Sequence, residues 1–323
     1  MIFSEKLLNW YNLNLRSLPW RETKDPYKIW ISEIILQQTK IEQGLPYYKK
    51  FIKKYPTVFS LAKANENDII KLWQGLGYYS RAQNLFHTAK KIATEFNGIF
   101  PKTQKEMMKL RGIGDYTASA IGSICFNNLE SVVDGNVYRF LGRYFGINMP
   151  INTFKTFKFF KSLANKLIPP DSPGDFNQAM MDFGSIQCKP KNPSCSSCIF
   201  SKSCYALNTC KISLYPVKQK KKKKKQLNFK TRHFNYLFIH NSKNQTVLKK
   251  RLSKGIWQKL YEFPLVETNV TLKKPNLEFK KIINKYAMKD SYSITPFTVK
   301  PITHKLSHQI LKIQFWKILL LGE

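Results

Sequence analysis

The sequence predicts an α+β multidomain protein, with an all-α first part followed by a smaller α+β domain. Three observations carry that expectation. Residues 4–207 show short apolar-periodic segments broken by Pro, Gly and Asn, with almost no two-residue alternation. Between residues 215 and 229 the composition changes abruptly around the lysine run 220–225, which repels itself and reads as a linker. Beyond it, runs rich in β-branched and aromatic residues take over. At 323 residues two domains are expected, or three if one is small, and 43% hydrophobic with 14% aromatic residues excludes disordered, collagenous and coiled-coil classes. No apolar run approaches the roughly 18 residues of a membrane span. Residues 1–14 carry Glu5 and lack an apolar signal core, so neither export nor membrane insertion is expected.

The elements follow in chain order. Asp25 is placed to cap a helix and Pro26 suits its first position, with Tyr27, Ile29, Trp30, Ile31, Ile34, Ile35 and Leu36 making the segment 25–38 apolar nearly all round and therefore buried. Thr103 and Glu106 have capping-box spacing and open a helix expected to end at the Gly112-Ile113-Gly114 turn. A second helix, rich in small residues, follows. After the linker, residues 234–239 and 246–248 are expected as strands around an Asn241-Ser242-Lys243-Asn244 turn, with further strands near 293–299 and 311–321.

Charge and cysteines narrow the chemistry. With 54 Lys+Arg against 20 Asp+Glu the formal net charge is +34, so a polyanionic partner, nucleic acid, is the inference. Only eight of those cations are arginines, and a lysine skew of this size also arises from codon bias. Cys188, Cys195, Cys198, Cys204 and Cys210 crowd into 23 residues. Without an export signal, metal ligation is a better reading than disulfides. Four thiolates at 188, 195, 198 and 204 suit a tetrahedral zinc or a cubane iron–sulfur cluster; a single close CxxC pair favours the cluster and leaves Cys210 spare.

Three further features invite functional readings. In Leu110-Arg111-Gly112-Ile113-Gly114-Asp115-Tyr116-Thr117-Ala118 two glycines let the backbone approach a phosphate, although a plain helix C-cap has the same signature. Asp134 ends an apolar run, and Asp-Gly-Asn alone reads as a turn or helix cap. Glu33 sits on the apolar helix, where burial raises proton affinity as a general acid near neutral pH requires.

Taken together, Leu18-Pro19-Trp20-Arg21, the run from Pro26 through Glu33 to Gln37-Gln38-Thr39, Gly75-Leu76-Gly77-Tyr78-Tyr79-Ser80-Arg81-Ala82, the glycine hairpin, Val133-Asp134-Gly135-Asn136-Val137, Phe176-Asn177-Gln178-Ala179-Met180-Met181-Asp182-Phe183-Gly184 and the cysteines resemble the MutY-type adenine DNA glycosylases of the helix-hairpin-helix superfamily. The resemblance covers residues 18–204 and extends more weakly through Gly255-Ile256-Trp257-Gln258-Lys259-Leu260-Tyr261-Glu262-Phe263-Pro264 and Leu306-Ser307-His308. It implies a helix-hairpin-helix glycosylase core with an iron–sulfur cluster loop, followed by a Nudix-like domain. The implied division is a six-helix barrel at 24–128, a cluster domain from 1–23 with 129–216, a basic linker at 217–225, and a lesion-recognition domain at 226–323.

The implied activity is hydrolytic removal of adenine mispaired with 8-oxoguanine or guanine. By the same resemblance Glu33 is the general acid, Asp134 stabilises the sugar cation, and Tyr116 and Asn136 hydrogen-bond within that pair. Arg21 lies near the adenine; Gln38, Thr39, Leu76 and Tyr78 wedge into the duplex; Gly112 and Gly114 meet phosphate; Ser307 and His308 reach the lesion. A 4Fe-4S cluster is expected on Cys188, Cys195, Cys198 and Cys204. Double-stranded DNA with the mismatch is the expected partner of a monomer, cytoplasmic and nucleoid-associated. Endonuclease III-like relatives place a Schiff-base lysine where this chain has Tyr116 and lack a glutamate like Glu33, which points to a monofunctional enzyme. No clustered glutamates accompany Gly255, so the second domain is expected to bind and not hydrolyse, and Leu306 stands where the family more often has Phe. A bifunctional glycosylase/lyase, a non-catalytic DNA-binding iron–sulfur protein and a zinc-bound adaptor are the competing readings.

Overall fold

The computed structural model describes residues 3–218, 229–287, 291–298, 300–306 and 308–321. It divides into two compact units, Met1–Lys220 and Lys221–Glu323. Most of the expected lysine linker, and Ser307, lie outside the described residues.

The first unit is helical: α1 Phe3–Leu13, α2 Pro26–Leu36, α3 Ile41–Lys54, α4 Val58–Ala62, α5 Glu66–Leu72, α6 Ser80–Glu95, α7 Gln104–Met107, α8 Asp115–Phe126, α9 Gly135–Phe145, α10 Phe154–Leu167, α11 Pro173–Asp182 and α12 Tyr205–Asn208. Its interior holds two apolar clusters. One gathers residues from Leu18 to Ile121 around Trp30, Phe51 and Trp73. The other gathers Leu7, Trp10, Phe140, Phe160, Phe176, Phe183 and Phe200. The first cluster thus draws on the chain between α1 and α9, while the second joins the N-terminal helix to the later helices.

α2 forms as its sequence dictates. The Asp25 carboxylate accepts the Tyr27 N–H at 2.9 Å and Pro26 occupies the first turn, where its missing N–H costs nothing. Tyr27, Ile29, Trp30, Ile31, Ile34 and Ile35 are all buried. α8 packs against both α2 and α11, and its buried face of Ala118, Ser119, Ala120, Gly122 and Ser123 permits the close approach.

Two expectations are corrected. The helix opened by Thr103, whose hydroxyl accepts the Glu106 N–H, ends at Met107 instead of reaching Gly112. Met107 and Leu110 are both buried three residues apart, so the chain tightens into three-residue turns, with Lys109 N donating to Glu106 O and Leu110 N to Met107 O at 3.0 Å each. Gly112 then turns the chain at φ +80°. The strand expected at 246–248 is reduced to one bridge, His240 to Thr246, with pairing resuming at Lys249–Lys250; Val247 packs against the Leu237, Ile239 and Trp316 cluster while Leu248 is exposed.

Among its described residues the second unit is a mixed sheet with one helix. β1 Lys230–His240 runs parallel to β7 Gln309–Leu320 in register Lys230 with Gln309. β4 Leu265–Thr268 pairs antiparallel with β1; β5 Tyr292–Pro296 and β6 Ile302–Lys305 pair antiparallel with β7. β2 Lys249–Lys250 and β3 Tyr261–Glu262 form a separate ribbon, and α13 Leu277–Ile283 buries Phe279 and Ile283 against Leu237, Ile239 and Trp316. The strand runs expected at 234–239, 293–299 and 311–321 fall on β1, β5 and β7; the short β3, β4 and β6 and the helix α13 carry too little periodicity to be read in advance.

Candidate active site

A cavity of about 660 Å³ opens in the first unit, lined by Glu33, Tyr116, Asp134, Asn136, Arg21 and Asp182 among others. Five segments deliver them: the short turn Pro19–Arg21 carries Arg21, α2 carries Glu33, the first turn of α8 carries Tyr116, Asp134 caps α9 with Asn136 in its first turn, and Asp182 ends α11.

Glu33 leaves the apolar face of α2 for the cavity wall. Burial pushes its carboxyl up to about 7, the hydrogen bond from Tyr116 works against that shift, and the negative charge of Asp134 adds to it. At neutral pH it therefore holds its proton about half the time. Burial, then the nearby Glu33 and Asp134 charges, hold the Tyr116 phenol well above its usual range, so Tyr116 stays a neutral donor. Its hydroxyl also sits 2.9 Å from Met181 Sδ.

Asp134 is the N-cap of α9 and a cavity carboxylate at once. One oxygen accepts the Asn136 and Val137 N–H groups at 2.8 Å each; the other accepts Asn136 Nδ2 at 2.8 Å. Asn136 Oδ1 in turn accepts Arg139 Nη2 at 2.7 Å, and Arg139 Nε donates to the Cys188 carbonyl at 2.8 Å. A Cβ on Gly184 would come within 2.6 Å of Asn136 Cβ, so that glycine is what lets the two segments close up.

Asp182 is fully buried and held by two arginines that share the cavity wall, Arg16 through a two-pronged contact and Arg21 at 2.7 Å. Arg21 also stacks over Tyr11, 5.5 Å from the ring centre. The sequence reading gives no role to Arg16, Asp182, Met181, Arg139 or Arg143, although Met181 and Asp182 stand in the 176–184 motif. A usable signal existed in the composition: where 46 of 54 cations are lysines, an arginine marks a place that needs the planar fork.

The structure divides the expected wedge. Gln38 at φ +57° and Thr39 line the cavity mouth, and Tyr78 at φ +48° is 61% exposed. Leu76 departs from the expectation: it is only 7% exposed and packs into the first apolar cluster, because its backbone turns inward between Gly75 and Gly77, both with positive φ. Gly114 lines the cavity as the N-cap of α8, while Gly112 lies behind it against Asn84. His308 is exposed in the second unit; Ser307 is outside the described residues.

Cys188, Cys195, Cys198 and Cys204 line a second, small apolar cavity with Phe140, Phe183 and Phe200. Burial raises the Cys188, Cys195 and Cys198 thiols, that of Cys198 to about 11, and the Cys204 charge adds to the effect in all three. Arg143 Nη1 lies 3.4 Å from Cys188 Sγ and also holds the Lys189 carbonyl at 2.7 Å. Such a set loses its protons readily only to a cationic centre. Among the described residues, no three or more His, Cys, Asp or Glu side chains gather tightly enough for a single metal ion. Cys210 is exposed and does not line this cavity.

Comparison with known proteins bears on both units. Residues 31–166 match the HhH-GPD superfamily base excision DNA repair protein model, and residues 235–323 match the NUDIX domain. The chain is 38% identical over 327 residues to an adenine DNA glycosylase of Buchnera aphidicola subsp. Baizongia pistaciae, covering 99% of this chain and 87% of that protein. It is 39% identical over 213 residues to the adenine DNA glycosylase of Homo sapiens, covering 63% of this chain and 39% of that one. A solved thermostable thymine-DNA glycosylase superposes with TM-score 0.60 at 33% identity, over 64% of this chain and 96% of its own. Among the described residues no helix is long and apolar enough to cross a membrane.

Proposed function

This chain belongs to the adenine DNA glycosylase family, and from that premise we propose that it hydrolyses the N-glycosidic bond of adenine paired with 8-oxoguanine or guanine in duplex DNA. The observation that carries the reading is the pair of carboxyl groups on one cavity: Glu33, raised to about 7 by burial, and the N-capping Asp134. Glu33 supplies a proton to the departing base, and Asp134 stabilises positive charge that develops on the sugar, the division of labour that paired carboxylates use in glycoside cleavage. A cavity of about 660 Å³ suits a base extruded from the stack. Net charge of +34 supports duplex binding through phosphate.

The reaction is hydrolysis alone. None of the described residues lining the cavity is a lysine, and Tyr116 occupies the wall beside Glu33 without an amine to form a Schiff base. The test is a duplex with one adenine opposite 8-oxoguanine: adenine is released, and the strand breaks only after alkali. Stoichiometric cleavage at neutral pH in lyase-free protein, or no adenine release at all, overturns the assignment.

Cys188, Cys195, Cys198 and Cys204 are the residues that would hold a 4Fe-4S cluster, whose iron would take their four thiolates, three of which (188, 195 and 198) burial otherwise pushes toward the protonated form. Its part would be structural, fixing a loop that Arg139 and Arg143 tie to α9. Replacing Cys198 by Ser is expected to remove most of the iron and visible absorbance; replacing Cys210 by Ser leaves both unchanged. Iron lost in the Cys210 variant would show a different fourth ligand. Reading of the base opposite adenine falls to the second unit, where His308 is a candidate contact, since every A·T pair contains adenine and only the opposite base distinguishes the lesion.

A further inference from the structure

Arg81 lies in the first turn of α6, is 9% exposed, and touches neither carboxylate of the cavity. Its guanidinium is nonetheless the most heavily used donor in this part of the fold. Nη1 donates to the carbonyls of Ile34 and Ile35 at 3.0 Å and of Gln37 at 2.6 Å; Nη2 donates to the carbonyls of Leu76 at 3.2 Å and Gly77 at 3.3 Å. The fork also stacks over Trp73 and Tyr78, 5.1 and 5.8 Å from the ring centres.

The physics of both acceptor sets explains the arrangement. The last carbonyls of α2 have no partner within the helix and carry its negative dipole end, so a cation there satisfies them directly. Loop 76–78 turns twice through positive φ, at Gly77 and Tyr78, which points its carbonyls inward with no strand or helix to receive them. A planar fork with donors on two edges serves both at once, whereas the compact head of a lysine does not. Trp73 adds a bond of its own, Nε1 to the Gly77 carbonyl at 3.0 Å.

We propose that Arg81 is a positioning residue that locks the 37–39 turn to the 76–78 turn and both to the end of the Glu33 helix, so that the duplex meets one rigid element instead of two independent loops. The DNA arm of this proposal rests on the function proposed above; the clamp itself does not. In the wild-type protein the amides of Thr39, Leu76 and Arg81, each bonded within its own turn at 3.1, 3.1 and 2.9 Å, are expected to exchange with solvent deuterium at protection factors within about tenfold of each other. Protection differing by more than that between the two turns overturns the clamp.

In full-length Arg81→Lys both turns are expected to exchange at least tenfold faster while α9 is unchanged. Affinity for a duplex bearing non-cleavable 2′-fluoro-adenosine opposite 8-oxoguanine is expected to fall at least tenfold, and the pH midpoint of adenine release to stay where the wild type has it. Loss of protection in one turn only, uniform loss across the unit, or affinity within threefold of wild type overturns the proposal. Should the wild type itself fail to release adenine, the functional reading fails, and the exchange measurements, which need no DNA, still decide the clamp.

Discussion

Glu33→Gln is expected to lower the single-turnover rate of adenine release by at least about 10²–10⁴-fold, the range general acid catalysis supplies, while mismatch binding stays within a few-fold of wild type. Gln keeps the shape and the Tyr116 contact but cannot deliver a proton. The same residue sets the pH profile: with its carboxyl near 7, the protonated fraction falls about tenfold for each pH unit above that value, and the wild-type rate should fall with it. Stability runs with the same sign. An acid whose folded value is raised from 4.5 to about 7 binds more protons folded than unfolded between those limits, so the protein loses stability as pH rises through the window. Glu33→Gln removes that loss and should be more stable than wild type at pH 8 by ~1–3 kcal/mol, read from denaturant midpoints. A variant that excises adenine within threefold of wild type, or is less stable at pH 8, contradicts this account.

Asp134→Asn is expected to cost a comparable factor in rate for a different reason. Asparagine is as good an N-cap as aspartate, so α9 should survive and the melting temperature change by only a few degrees. The charge opposite the developing sugar cation disappears, and preorganised charge of that kind is worth about 10²–10³-fold or more. A local conflict adds to the loss. The second oxygen of Asp134 accepts from Asn136 Nδ2, and Asn136 Oδ1 is already committed to Arg139. An amide nitrogen at 134 facing Nδ2 leaves two donors opposed, and flipping Asn136 only moves the conflict to Arg139. Single-turnover rate and thermal midpoint measured together separate the two effects: loss of both in proportion would mean Asp134 acts merely as a cap.

How the sequence anticipates these sites differs from residue to residue. Asp25 and Pro26 announce α2, and the lone carboxylate on so apolar a helix stands out in one dimension because burying an unpaired charge is costly. The cysteine spacing is equally visible. Leu76 illustrates the opposite case: its neighbours look like an exposed loop, yet two glycine turns swing it into the core, an outcome of backbone geometry that residue type does not encode. The short α7 shows the same limit, since whether a turn closes at three or four residues depends on the surface it must fill.

The sequence alone determined the helical and mixed α+β parts, the polyanion-seeking charge, the thiol cluster and the identity of Glu33 as an unusual carboxylate, because these follow from local spacing and from residue chemistry; Asp134 by itself reads as a helix cap and stands out only through the family resemblance. Only the tertiary structure decided which groups share a cavity. It set Asp134 close enough to raise the Glu33 carboxyl, closed the chain of Asn136 and Arg139 back to the cysteine loop, and buried Asp182 between Arg16 and Arg21. Each of these is an electrostatic or hydrogen-bonded contact between segments tens to hundreds of residues apart. Its strength depends on distances of a few ångströms and on the exclusion of water, and packing fixes both after the chain has folded.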